Sequence, residues 1–328
     1  MPTPTTSAAA PAVADGCWRP RLPSPIELAA GLSAGIGGRG VAPLLSAPLA
    51  TAFAHALRGD APPLPRATGD VGDDAGWFGP DSVSWRIHAD HSMLVGGFAA
   101  LALQSLHPRT LAGVVEHSSF AGDFMGRTRR TAEYVMTVTF GTEREAERVT
   151  AALPRIHSRV VGITPDGRPY DANDPELLDW VHVTLLVATA AAHRRFGAHP
   201  TTDAELDRYV DENARAGAAV GVIDPPRTWA AAMAALDRHR PNLAIGEQAA
   251  DGLRYLAEPP FVPLPLRPLW RTLHGGAMAC LPPFARRLIG GRRTTVADVV
   301  ACRSIVRTLG TLLPPPAAAR AAHERVGR

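Results

Sequence analysis

Apolar positions recur along this chain at intervals of three and four, and helix caps punctuate them. The clearest start is Asp174-Pro175-Glu176: an N-cap, a proline at the first helical position, then an acid. That signal predicts a helix running to Gly197 as its stop. Thr202 and Glu205 form a capping box for another helix, with Leu206 and Tyr209 facing inward. Thr142 opens a third, with Glu143 and Glu145 in its first turn. Pro154 should bend that helix, because it lacks an N–H and crowds the Thr150 carbonyl, and Gly162 ends it.

Residues 82–106 form the most apolar long segment, capped by Ser82 and closed by Pro108. Leu94, Val95, Phe98, Leu101, Ala102 and Leu103 cover most of its circumference, which predicts a central buried helix. Residues 128–140 are rich in β-formers, so periodicity leaves helix and strand open; the helical neighbours favour a helix. Shorter helices are predicted over 25–32, 47–57, 109–115, 230–239 and 296–309, and residues 269–288 are apolar. Residues 163–173 read as a loop and 259–268 as a proline-rich extended stretch. There is no alternating strand pattern and no internal repeat. The expectation is an all-α protein with a single large helical bundle domain over residues 25–312. A disordered tail, 1–24, precedes it, and a flexible low-complexity tail, 313–328, follows.

Composition narrows the function classes. With 328 residues, 46% of them hydrophobic, a sizeable core is available. The balance of 34 basic and 31 acidic residues argues against a dedicated nucleic-acid binder. Every basic residue is arginine, which cannot lose its proton to ligate a metal. Cys17, Cys280 and Cys302 make no CxxC or CxxCH, so a zinc ribbon and covalent haem attachment are not expected. Sparse cysteines suit a reducing compartment, and the N-terminus lacks a signal-peptide pattern. No run of eighteen apolar residues is present to span a membrane. The expected location is cytoplasmic.

Residues 126–162 carry the densest chemistry. Arg127, Arg130 and Thr131 fall within one helical turn, able to address one anionic or oxygen-bearing group. His157 lies among Leu153, Ile156, Val160 and Val161; His182 lies beside Leu178, Leu185 and Leu186. Both imidazoles are expected to point inward, each as a core histidine bonded to a carbonyl or as a ligand. The motifs for carboxylate-bridged di-iron and zincin chemistry are missing: no Glu-x-x-His and no HExxH. His88 and His91 have an HxxH spacing without an evident third ligand. A haem held by one axial imidazole in an apolar pocket remains.

The stretches LALQSLHP, GRTRRTAEYV, RIHSRVVG, YDANDPELLDWVHVTL and DRYVDE stand in that order across residues 82–220. In order and spacing they resemble the oxygenase MpaB/rubber oxygenase catalytic-domain family, formerly a domain of unknown function. Its relatives the latex clearing proteins are all-helical b-type haem dioxygenases that cleave a polyisoprene double bond with O2; MpaB cleaves a prenyl side chain. The resemblance implies a bundle of the latex-clearing-protein type and makes His157 the proximal iron ligand. It puts Arg127 and Thr131 beside the haem. Arg130 falls where latex clearing proteins carry a lysine that can take the sixth iron position; an arginine there makes that closed form unavailable. Glu116 is the nearest candidate for the relatives' glutamate base, and His182 becomes a cofactor-pocket residue. The implied function is a haem b-dependent oxygenase using O2 on an apolar, isoprenoid or lipid-like substrate. Two rivals stay open: a non-catalytic haem- or lipid-binding protein, and a haem-free structural protein with its histidines satisfied in the core.

Overall fold

The computed structural model describes residues 18–22, 24, 74–117 and 124–327. The helices expected over 25–32 and 47–57 lie outside these residues, as does most of the N-terminal tail. Two apolar helices packed along each other form the centre: α2 (Met93–Gln104) and α6 (Pro175–Phe196). Gly96 sets their separation, because a Cβ there would stand 3.0 Å from the Thr189 Cα. The remaining helices surround this pair. In chain order they are α1 (Val83–Ala89), α3 (Pro108–His117), α4 (Phe124–Phe140), α5 (Glu143–His157), α7 (Asp203–Ala219), α8 (Trp229–His239), α9 (Glu247–Ala257), α10 (Arg267–Ala279), α11 (Pro283–Ile289), α12 (Val296–Leu312) and α13 (Ala317–Arg325). The architecture is all-α apart from one hairpin.

The predicted caps form as expected. Asp174 accepts the Glu176 N–H with Pro175 next to it, and Thr142/Glu145 and Thr202/Glu205 each close a capping box. The predicted helix over 82–106 breaks in two. Asp90 Oδ1 accepts the Ser92 N–H at 2.7 Å and Oδ2 accepts the Ala198 N–H at 2.9 Å. This side-chain turn competes with the helical ladder and gives α1 and α2 separate axes.

Helix α5 ends at His157 rather than Gly162, and the expected loop contains a hairpin. Strand β1 (Val161–Ile163) pairs antiparallel with β2 (Pro169–Asp171), Gly162 opposite Tyr170. Its turn depends on Gly167 at φ +83. Three-residue strands are too short to show alternation, so the pattern did not reveal them. The apolar 269–288 segment divides at Pro282 and Pro283, and the proline-rich stretch contains a 3-10 turn, Leu264–Leu266.

Residues 317–325 of the expected flexible tail are helical. Ala319 and Ala322 of α13 bury against Trp85 and Phe140. Arg325 donates to the Asp74 carbonyl through Nε at 2.9 Å and to the Phe140 carbonyl through Nη2 at 2.8 Å. An alanine-rich composition hides this, because small residues bury without a strong apolar signal.

Candidate functional site

The last turn of α5 presents His157, and the hairpin folds back to hold it. The Ala172 N–H donates to the Val160 carbonyl at 3.0 Å, and Asn173 Nδ2 donates to the Pro154 carbonyl at 3.1 Å. The half-buried His157 ring hydrogen-bonds the Ala172 backbone. Burial lowers its pKa below the ordinary value, against the opposing pull of Asp171 and that hydrogen bond. The imidazole is therefore neutral near pH 7, with one nitrogen engaged and the other able to serve as a ligand.

Helix α4 packs on α5 and carries the arginine-rich turn. Arg127 is half-buried, while Arg130 and Thr131 are exposed. Glu116, exposed near the end of α3, accepts the Tyr170 hydroxyl at 2.5 Å. His117 Nε2 lies 3.1 Å from the same hydroxyl. Burial first, then Glu116, pushes the Tyr170 pKa up to about 12, so the phenol stays protonated and donates. Gly162 is required here: a Cβ would fall 2.5 Å from the Tyr170 hydroxyl oxygen. The hairpin thus connects Glu116, through Tyr170, with the segment that holds His157.

His182 is on α6, its ring against Gly217 of α7, where a Cβ would stand 2.7 Å from Nε2. That Nε2 is buried without a hydrogen-bond partner among the described residues, and burial lowers the pKa to about 4. His88 of the HxxH pair behaves as a satisfied core histidine. Its Nδ1 pairs with Thr139 Oγ1 at 2.7 Å and its Nε2 with the Tyr209 hydroxyl at 2.8 Å.

A second constellation has no local motif in the sequence. His107, between α2 and α3, is fully buried, and neither ring nitrogen has a hydrogen-bond partner among the described residues. Its Nε2 lies 3.9 Å from Glu176 Oε1 in the first turn of α6. His239, at the end of α8, stands edge-on to the His107 ring with centroids 6.2 Å apart. One donor atom from each of the three lies within 4.8 Å of the others. Asp179 Oδ2 pairs with His239 Nε2 at 2.9 Å, and Arg109 Nη1 donates to Glu176 Oε2 at 3.0 Å. An open cavity of about 270 Å³ adjoins them, lined by Pro175, Glu176, Asp179, Ile223, Arg238 and His239. The available signal was the spacing of Glu176, Asp179 and His182 by threes on one helix. His107 and His239 are separated from it by long stretches of chain.

Among known families, the model described as "ER-bound oxygenase mpaB/B'/Rubber oxygenase, catalytic domain" matches residues 85–311, more than half of the chain. No curated protein and no solved structure gives a significant match. No helix among the described residues is long and apolar enough to cross a membrane.

Proposed function

The chain belongs to the mpaB/rubber oxygenase catalytic-domain family, and from that premise we propose that it is a haem b-dependent oxygenase acting with O2 on an apolar, isoprenoid or lipid-like substrate. The observation that carries the haem reading is His157: a half-buried, neutral imidazole with its ring tied to the Ala172 backbone. Such a hydrogen bond fixes the tautomer and ring plane of an axial ligand. The donor set fits a b-type haem, with one imidazole for iron and guanidinium groups on the adjacent α4 for propionates. Haem iron held there would supply O2 binding and activation.

The chain's own groups then have separate roles. His157 anchors the cofactor. Arg127 and Thr131 lie four apart on α4, hence on one face, and would bind and orient polar groups of the bound cofactor or substrate. Arg130 would help hold the cofactor through its guanidinium, which cannot ligate iron as a lysine amine can. Glu116 is the candidate proton acceptor, its carboxylate held by the Tyr170 hydroxyl. His182 supplies a neutral buried imidazole on α6 as a pocket residue.

The test is an absorption spectrum of the purified protein, followed by O2 consumption with an isoprenoid. A Soret band in wild type that disappears in His157→Ala and persists in His182→Ala supports the assignment. The reverse pattern transfers the ligand role to His182, and no Soret change on reconstitution with haem ends the haem reading. The exposure of Arg130 and Thr131 favours a second reading, a haem- or lipid-binding protein whose arginines hold propionates or headgroups. Haem colour without O2 turnover would select it.

A further inference from the structure

We propose that His107, Glu176 and His239 form a binding site for a divalent first-row transition metal, apart from the His157 centre and opening to the cavity beside α6 and α8. The first support is convergence. The three residues come from the α2–α3 turn, the start of α6 and the end of α8, yet one donor atom of each falls within 4.8 Å of the rest. Two imidazoles and one carboxylate suit zinc, ferrous iron or cobalt, whereas calcium and magnesium favour all-oxygen shells.

The second support is independent of that clustering. A neutral imidazole has one donor and one acceptor, and His107 satisfies neither while fully buried. Buried polar groups are nearly always paired, so two orphan nitrogens on one ring call for a ligand. Asp179 Oδ1 is buried and unpartnered as well. A neutral imidazole offers one ring-nitrogen lone pair to a cation.

The outer groups are already in place. Asp179 orients His239, as carboxylates commonly orient metal-bound histidines. Asn242 Nδ2 holds Glu176 Oε1 at 2.5 Å, and Arg109 holds Oε2. Trp180 walls the site, its ring 6.0 Å from His107 and 5.3 Å from His239. Three protein ligands leave at least one position open to the cavity. Arg238 lines that cavity and approaches Asp179 at 3.4 Å, placing a cation where an anionic exchangeable ligand would enter.

The experiment uses the full-length protein, stripped with a chelator and titrated with Zn²⁺ by calorimetry, with elemental analysis for stoichiometry. One equivalent should bind. Because His107 is buried, Glu176→Gln and His239→Gln carry the test; both preserve size and polarity, and circular dichroism checks their fold. Each should weaken Zn²⁺ binding at least about 100-fold, and Asp179→Asn about tenfold. His157→Ala should bind Zn²⁺ as wild type does, which separates this site from the haem reading. Absence of binding to folded wild-type protein would overturn the proposal, leaving buried water as the partner of His107. Stoichiometric binding that survives both Gln substitutions would overturn it equally.

Discussion

Glu212, the last residue of the DRYVDE segment, closes the start of α1 from across the fold. Its Oε1 accepts the Val83 N–H at 3.1 Å; its Oε2 accepts the Ser84 N–H at 2.8 Å and the Ser84 hydroxyl at 2.7 Å. Arg208 Nε donates to Oε1 at 2.9 Å, and the side chain is only 16% exposed. Backbone donors in the first turn of a helix have no intrahelical partner, and a carboxylate there also meets the positive end of the helix dipole. Replacing Glu212 by alanine leaves two N–H groups and a hydroxyl short of an acceptor. Charge-assisted bonds of this kind contribute about 1.5–3 kcal/mol each. Water reaches the partly exposed site and makes good about one of the three lost acceptors, so about two such bonds count, each at the lower end of that range. Glu212→Ala should therefore cost about 3 kcal/mol, and Glu212→Gln, which keeps an acceptor without the charge, roughly half of that. Urea unfolding followed by circular dichroism measures both. A Glu212→Ala variant within about 0.5 kcal/mol of wild type, the range of an ordinary surface change, would refute the clamp.

Acidification provides another test. His88 and His107 are buried and held neutral, each with its pKa lowered from 6.5 to about 4, chiefly by burial. The unfolded chain takes up protons first, so stability is full above pH 6.5 and falls between 6.5 and 4. By pH 5 the loss should reach roughly 2 kcal/mol per histidine, and denaturant midpoints that stay flat over that window would contradict it. Gly276→Ala should destabilise by more than about 1 kcal/mol through overpacking, because the added Cβ meets Cys302 Sγ at 2.2 Å; an unchanged melting temperature would show that the neighbours yield. Ending the chain after Leu313 should uncover Trp85 and Phe140, lower the melting temperature and shift tryptophan fluorescence to the red.

Sequence disclosed structure where one residue type has one local use. Asp174-Pro175, Thr142/Glu145 and Thr202/Glu205 act within a single turn, and all three helix starts stand where they were expected. The signal failed where long-range contacts decide. The break at Asp90 depends on the Ala198 N–H, 108 positions away. Helix α9 buries only Ala249, Gly252 and Leu256, a stripe too weak to announce itself. The same distinction divides the two sites. Arg127, Arg130, Thr131 and His157 crowd into one stretch and drew notice through their spacing and family resemblance. His107, Glu176 and His239 meet only after α2, α6 and α8 have packed, so no window of sequence contains them together.

The closure made by α13 bears on how the protein is born. Asp74 and Arg325 are joined by a hydrogen bond across 251 positions. During synthesis Trp85 and Phe140 emerge long before the alanines that cover them. A ribosome can release a folded α2–α6 core before then, but the seam over α1 and α4 stays open until α13 is free to dock. Nascent chains stalled short of that point would present this apolar surface to chaperones.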